Sequence, residues 1–89
     1  MCRNIKVLYN IDPPATQAEI RAAAEQYVRK ISGFTNPSQA NKTAYDGAIT
    51  EVERASTKLL SSLSTDAAPR NRIIEAAKRH ARAVERFGL

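Results

Sequence analysis

The sequence predicts an all-α fold: a three-helix bundle with an N-terminal arm or short extra helix, in a single domain. Three features carry that expectation. Apolar residues recur at helical spacing in three stretches. Cap and stop residues bound each stretch. The one β-like run, IKVLYNI, has no second run of its kind to pair with, and a lone strand leaves backbone groups unpaired.

Residues 1–15 are read as the arm or short helix, packed on the bundle by Ile5, Leu8, Tyr9 and Ile11. Pro13 and Pro14 hold the next step extended. The first main helix spans 16–32. Thr16 caps its first turn, and Glu19, three residues on, reaches back to the Thr16 amide as a capping box. Ile20, Ala23, Ala24, Tyr27, Val28 and Ile31 then share a face, and Gly33 supplies the left-handed stop. FTNPS is a turn with Ser38 as the next cap, so the second helix is placed at 38–63. Its stripe runs from Ala44 and Tyr45 through Ile49 and Val52 to Leu59, Leu60 and Leu63. STDAAP is the next break. A start at or just after Asp66, with Pro69 in the first turn, gives a basic third helix over 67–87. Ile73, Ala76, Ala77, His80, Ala83, Val84 and Phe87 lie on its apolar side. Short connections make sequential helices antiparallel neighbours.

The opening MCRNIKVLYN, followed by PPAT, EIRAAAEQYVRKISGFTNPSQAN and APRNR, resembles the bacterial family called domain of unknown function twenty-two seventy-seven. That resemblance covers nearly the whole chain. It implies a small bacterial intracellular protein and brings no activity. A second stretch, LYNIDPPATQAEIRAAA, looks like the start of a J-domain, the module that stimulates heat-shock chaperone ATPases. Leu8, Ala15, Thr16, Glu19, Ile20, Arg21 and Ala23 match that pattern, which implies a J-domain-like fold with a short helix ending at Leu8. The histidine-proline-aspartate tripeptide that such domains need would fall near Ser32-Gly33-Phe34 and is absent. Chaperone stimulation is therefore not implied.

The net charge is +5, and residues 70–86 hold most of the excess, six cations against Glu75 and Glu85. On a helical wheel Arg72, Arg79, Arg82 and Arg86 fall within about 80° of one another, with Lys78 alongside and the apolar side opposite. Such a stripe can bind nucleic-acid phosphates, an acidic protein patch or an anionic membrane surface. It is also what any bundle uses to stay in solution. Tyr27, Tyr45 and Phe87 fall on core faces and form no platform for stacked bases. A second candidate is the loop after the first helix. There Phe34 stands beside Arg29 and Lys30, either as a docking spot or as a helix-end contact.

Enzyme signatures are absent. There is no phosphate-binding glycine loop, no dinucleotide fingerprint and no Ser-His-Asp set. Cys2 is the one candidate reactive thiol, and its base would have to be the single histidine, His80. One Cys and one His make no zinc site, so neither metal nor cofactor is expected. No apolar run approaches the roughly 20 residues of a membrane span. A lone cysteine and the lack of a secretory pattern point to the cytoplasm. The expected role is a small non-enzymatic adaptor that binds another macromolecule, a protein first. The alternative is a nucleic-acid or ribosome-associated factor working through the basic helix.

Overall fold

Thr16 opens the first helix, α1 (Gln17–Ser32), in the computed structural model, which describes residues 5–87. The Thr16 hydroxyl accepts from the Glu19 amide at 3.2 Å, and the Glu19 carboxylate accepts from the Thr16 amide at 2.9 Å. The capping box read from the sequence is thus in place. Gly33 ends the helix at φ 76°, and its amide donates to the Arg29 carbonyl at 2.9 Å. A side chain there would meet open space, so glycine is required by the backbone angle alone.

The second helix, α2 (Lys42–Ser62), begins four residues after the expected cap. Ser38 is not its N-cap. Residues 38–41 form a separate turn, closed by the Asn41 amide on the Ser38 carbonyl and by Asn41 Nδ2 on Ser38 Oγ. The Asn41 side chain bonds inside that turn and caps nothing in α2. The helices α1 and α2 pack on each other as a hairpin. Ile20, Ala24, Val28 and Ile49 are buried, and Tyr45, Ala48 and Val52 close over Ala24, Val28 and Ile49. Glu53 adds a polar tie, accepting from Gln17 Nε2 at 2.6 Å and Arg21 Nη1 at 2.8 Å.

The arm has no helix from Ile5 to Leu8, so the short J-domain-like helix is not there. It does find a strand partner. A two-residue strand β1 (Ile11–Asp12) pairs in parallel with β2 (Arg70–Asn71), in register Ile11 to Arg70 and Asp12 to Asn71. The third helix, α3 (Arg72–Phe87), therefore starts later than 67. Its cap is Asn71, whose Oδ1 accepts from the amides of Ile73 and Ile74 at 2.9 and 3.1 Å. Asp66 and Pro69 belong to the connection before it.

The all-α three-helix arrangement holds, with only this minimal sheet among the described residues. One detail departs from the expected bundle: the apolar stripe of α3 does not cover the hairpin. Ile73 is 81 % exposed and Ile74 54 %, and Leu59, Leu63, Tyr27 and Ile31 are exposed as well. The molecule is correspondingly flat, 44 × 37 × 17 Å, with a radius of gyration of 15.9 Å. A compact chain of this length would have roughly 12 Å.

These packing differences set unequal costs for trimming isoleucines. Ile49→Ala empties part of a very small core and should cost about 2–4 kcal/mol. Ile73→Ala should change stability by less than about 0.5 kcal/mol. Urea unfolding of the two variants checks the contrast.

Candidate functional site

The feature that places α3 is a carboxylate used twice. Glu19 sits in the first turn of α1 to complete the capping box, which leaves its oxygens facing the start of α3. Arg72 Nη1 donates to Glu19 Oε2 at 2.7 Å and Nη2 to Oε1 at 3.0 Å, a bidentate pair. Arg72 Nε donates to the Pro13 carbonyl at 2.7 Å. The Arg72 guanidinium, and after it the Thr16 amide, hold the Glu19 carboxyl down from its ordinary 4.5 to about 2.

Asn10 makes a second clasp. Its backbone is left-handed, φ 54°, a conformation asparagine tolerates better than most residues. Its carbonyl accepts from the Arg70 amide at 2.9 Å, and its side-chain amide reaches the carbonyls of Ala67 and Ala68 at 3.2 and 3.3 Å. Asn10, Pro13 and Glu19 thus grip residues 67–72 from three points.

That grip turns the basic side of α3 toward the arm. Between them lies an open cleft of about 600 Å³. Ile5, Val7, Leu8, Ile11 and Ala76 give it apolar walls. Lys6, Arg70, Arg79 and Arg82 also line it, and among the described residues none of these four side chains has an ion-pair partner. Glu75, also on the lining, lies 3.8 Å from Lys78.

The stripe expected to lie free on the outside of the bundle is therefore divided. Arg72 is not a free binding cation: it is committed to Glu19 and Pro13, because the capping carboxylate lies within its reach. Arg79 and Arg82 face the cleft, and Lys78 is exposed beside it. The Arg86 and Phe87 side chains lie outside the described residues, as does Cys2, so the thiol reading falls there too. His80 is exposed rather than set in a covered stripe. At the other candidate, Arg29 and Lys30 are exposed and Phe34 is 44 % exposed. The Phe34 backbone is tied down by the Tyr45 hydroxyl on its carbonyl at 3.1 Å and by Ser32 Oγ accepting from its amide at 3.2 Å. This loop stands apart from α3 and its cleft. Among the described residues no three His, Cys, Asp or Glu side chains gather as a metal site, and no helix is long and apolar enough to cross a membrane.

Sequence reading missed Lys6 and Arg70 as cleft cations and Glu19 as the partner of Arg72. Lys6 and Arg70 lie in short segments outside the helices, with no periodicity to assign them a face. Glu19 already had a full explanation as a capping residue. Asn71 was the one legible signal, an asparagine two residues before the apolar pair Ile73–Ile74.

Fold and site together define a small helical protein with a polar-clamped amphipathic helix and a basic cleft. Residues 1–78 match the model of the family described as Uncharacterized conserved protein (DUF2277), and the chain belongs to that family. Comparison with curated proteins found no match, nor did comparison with solved structures, so the J-domain likeness has no support.

The low pKa of Glu19 has a signed consequence. A carboxylate held below its unfolded value contributes fully above about 4.5, and that contribution is lost as pH falls toward about 2. Glu53 is also lowered, by Gln17 first and then Arg21, so the readout must be local to the clamp. Amide exchange at Arg70, whose N–H donates to Asn10, should stay protected from neutral pH to about 5 and lose protection below that. In Glu19→Gln it should be several-fold less protected at neutral pH.

Proposed function

We propose that the chain is a small non-enzymatic adaptor that binds an acidic partner protein through the exposed apolar side of α3. The observation that carries this reading is the orientation of the helix. α3 is held at its start by polar contacts of Arg70, Asn71 and Arg72, while Ile73, Ile74 and Ala77 remain uncovered. A soluble chain rarely leaves a contiguous apolar helix face without a use for it.

Two quantities support the same reading. The chain exposes 7025 Å². A folded monomer of 9.8 kDa exposes about 5,200 Å². The excess is larger than the roughly 800 Å² that one side of a standard protein interface buries. The second quantity is charge. Residues 70–86 carry six cations against two carboxylates, so a partner groove rimmed by acidic residues complements α3, and a second α3 would be repelled. Nucleic acid is less well served. Arg79 and Arg82 line a cleft opposite the arm instead of forming an open ridge along a phosphate backbone.

A photo-crosslinking side chain at position 77, in the full chain in its own cells, tests this. The expected result is a nuclease-resistant adduct to a protein of net negative charge. It should fall at least roughly tenfold in the double variant I73D/I74D, as for loss of a hot-spot anchor, and persist in Phe34→Ala. Adducts only to a second copy, adducts that nuclease removes, or loss in Phe34→Ala with retention in I73D/I74D would each overturn it.

A further inference from the structure

The arm–α3 cleft lies on the side of the helix that the adaptor reading does not use, and its lining has a chemistry of its own. Five cations, Lys6, Arg70, Arg72, Arg79 and Arg82, line it against two carboxylates, Glu19 and Glu75. Arg72 and Glu19 satisfy each other, and Glu75 has Lys78 within 3.8 Å. The remaining four cations have no partner among the described residues. Like charges gathered around one cleft repel each other, and an anion placed among them relieves that repulsion. Three of the four are arginines, whose planar forks suit the paired oxygens of a phosphate.

The walls add a second requirement. Val7 is 59 % exposed and Ile5 39 %, and both line the cleft together with Leu8 and Ile11. Aliphatic side chains next to unpaired guanidinium groups make a poor site for a bare inorganic ion. They make a good one for an anion that carries an apolar body. The volume, about 600 Å³, lies within the usual range for small-molecule sites.

We propose that the cleft between the N-terminal arm and α3 is a binding site for a phosphate monoester with an aliphatic body, the phosphate held by Arg70, Arg79 and Arg82 and the body laid on Val7, Leu8 and Ile11. The arm then has a role beyond covering the fold: it supplies the apolar wall and Lys6. The Glu19–Arg72 clamp sets the width of the cleft by fixing the start of α3 to the start of α1. Nothing in this proposal depends on a protein partner at Ile73 and Ile74.

The test is a titration followed by NMR amide shifts, using three probes: inorganic phosphate, octyl phosphate kept below micelle formation, and octanol. Octyl phosphate should shift the amides of residues 5–8 and 11 and of Arg70, Ala76, Arg79 and Arg82 saturably, more than those of Ile73, Ile74 and Ala77, and bind at least tenfold more tightly than either other probe. The double variant R79Q/R82Q, at exposed positions without described partners, should keep its circular dichroism spectrum and lose at least tenfold in octyl phosphate affinity. Val7→Ser should weaken octyl phosphate two- to fivefold and leave inorganic phosphate unchanged. The proposal fails if octyl phosphate binds no better than inorganic phosphate. It fails equally if R79Q/R82Q folds and binds as tightly as the native chain, or if the shifts centre on Ile73, Ile74 and Ala77 and spare residues 5–8, 11, 70, 79 and 82. Cosedimentation with phosphatidic acid vesicles separates the sources. Vesicle binding that octyl phosphate displaces assigns a lipid phosphate to the cleft, and octyl phosphate binding without vesicle binding assigns a soluble ester. I73D/I74D should leave all these affinities unchanged, so the cleft and the adaptor surface stand or fall separately.

Discussion

The bidentate pair between Glu19 and Arg72 is the constraint on which the arrangement of this chain depends. One carboxylate closes the first turn of α1 and also receives the first residue of α3. Arg72 in turn holds the Pro13 carbonyl, so the end of the arm, the start of α1 and the start of α3 meet at a single guanidinium. Both side chains are about one-third exposed, 30 % and 35 %. A pair of that exposure adds little to global stability, since water and salt screen it. Its effect is directional. It decides which side of α3 faces the arm, and therefore which side faces out.

The molecule consequently has two tiers of cohesion. The α1–α2 hairpin is joined by apolar contact among Ile20, Ala24, Val28 and Ile49, and burial of that kind is the main stabilising contribution in small domains. α3 is joined by hydrogen bonds from Arg72 to Pro13 and Glu19, by those from the Asn10 side chain to the segment before it, and by a two-residue ladder. Contacts of the second kind open at lower free energy than the first. The arm and α3 depend on each other, because β1 and β2 are each other's only partner in the sheet. Any ligand that bridges them stabilises both by mass action.

Local signals made much of this legible. The Thr16–Glu19 box and the Gly33 stop follow from rules that act within one helix, and both are present in the structure; the α1 and α2 stripes are covered only in part, with Ile20, Ala24, Val28 and Ile49 buried and Tyr27, Ile31 and Leu59 exposed. What escaped are relations between segments distant in the chain. Arg70–Asn71 has no β-signature, and a pair of residues becomes a strand only because Ile11–Asp12 lies beside it. The third helix began late for the same reason: its first expected turn was taken up by that pairing. The orientation of α3 was misjudged because amphipathicity states that two sides differ and not which one is covered. Here a charge partner fifty-three residues away decides the matter. The candidate residues divide along the same line. Arg79 and Arg82 were recognisable from the basic stripe, whereas Lys6 and Arg70 join them only through the fold.

The exposed side of α3 then follows from geometry. A helix has one azimuth, and fixing a single residue at its N-terminus fixes all the others at about 100° per residue. With Arg72 turned to Glu19, Arg79 and Arg82 line the cleft beside the arm, and Ile73 and Ala77 are exposed outside it. Turning α3 to bury Ile73 against the hairpin would take Arg72 off Glu19 and leave a capping carboxylate without its cation. It would also carry the arginines away from the apolar arm and dissolve the cleft. Covering α3 from within and keeping the cleft are therefore alternatives for this chain. Glu19 selects the cleft, and Ile73 and Ile74 are left exposed.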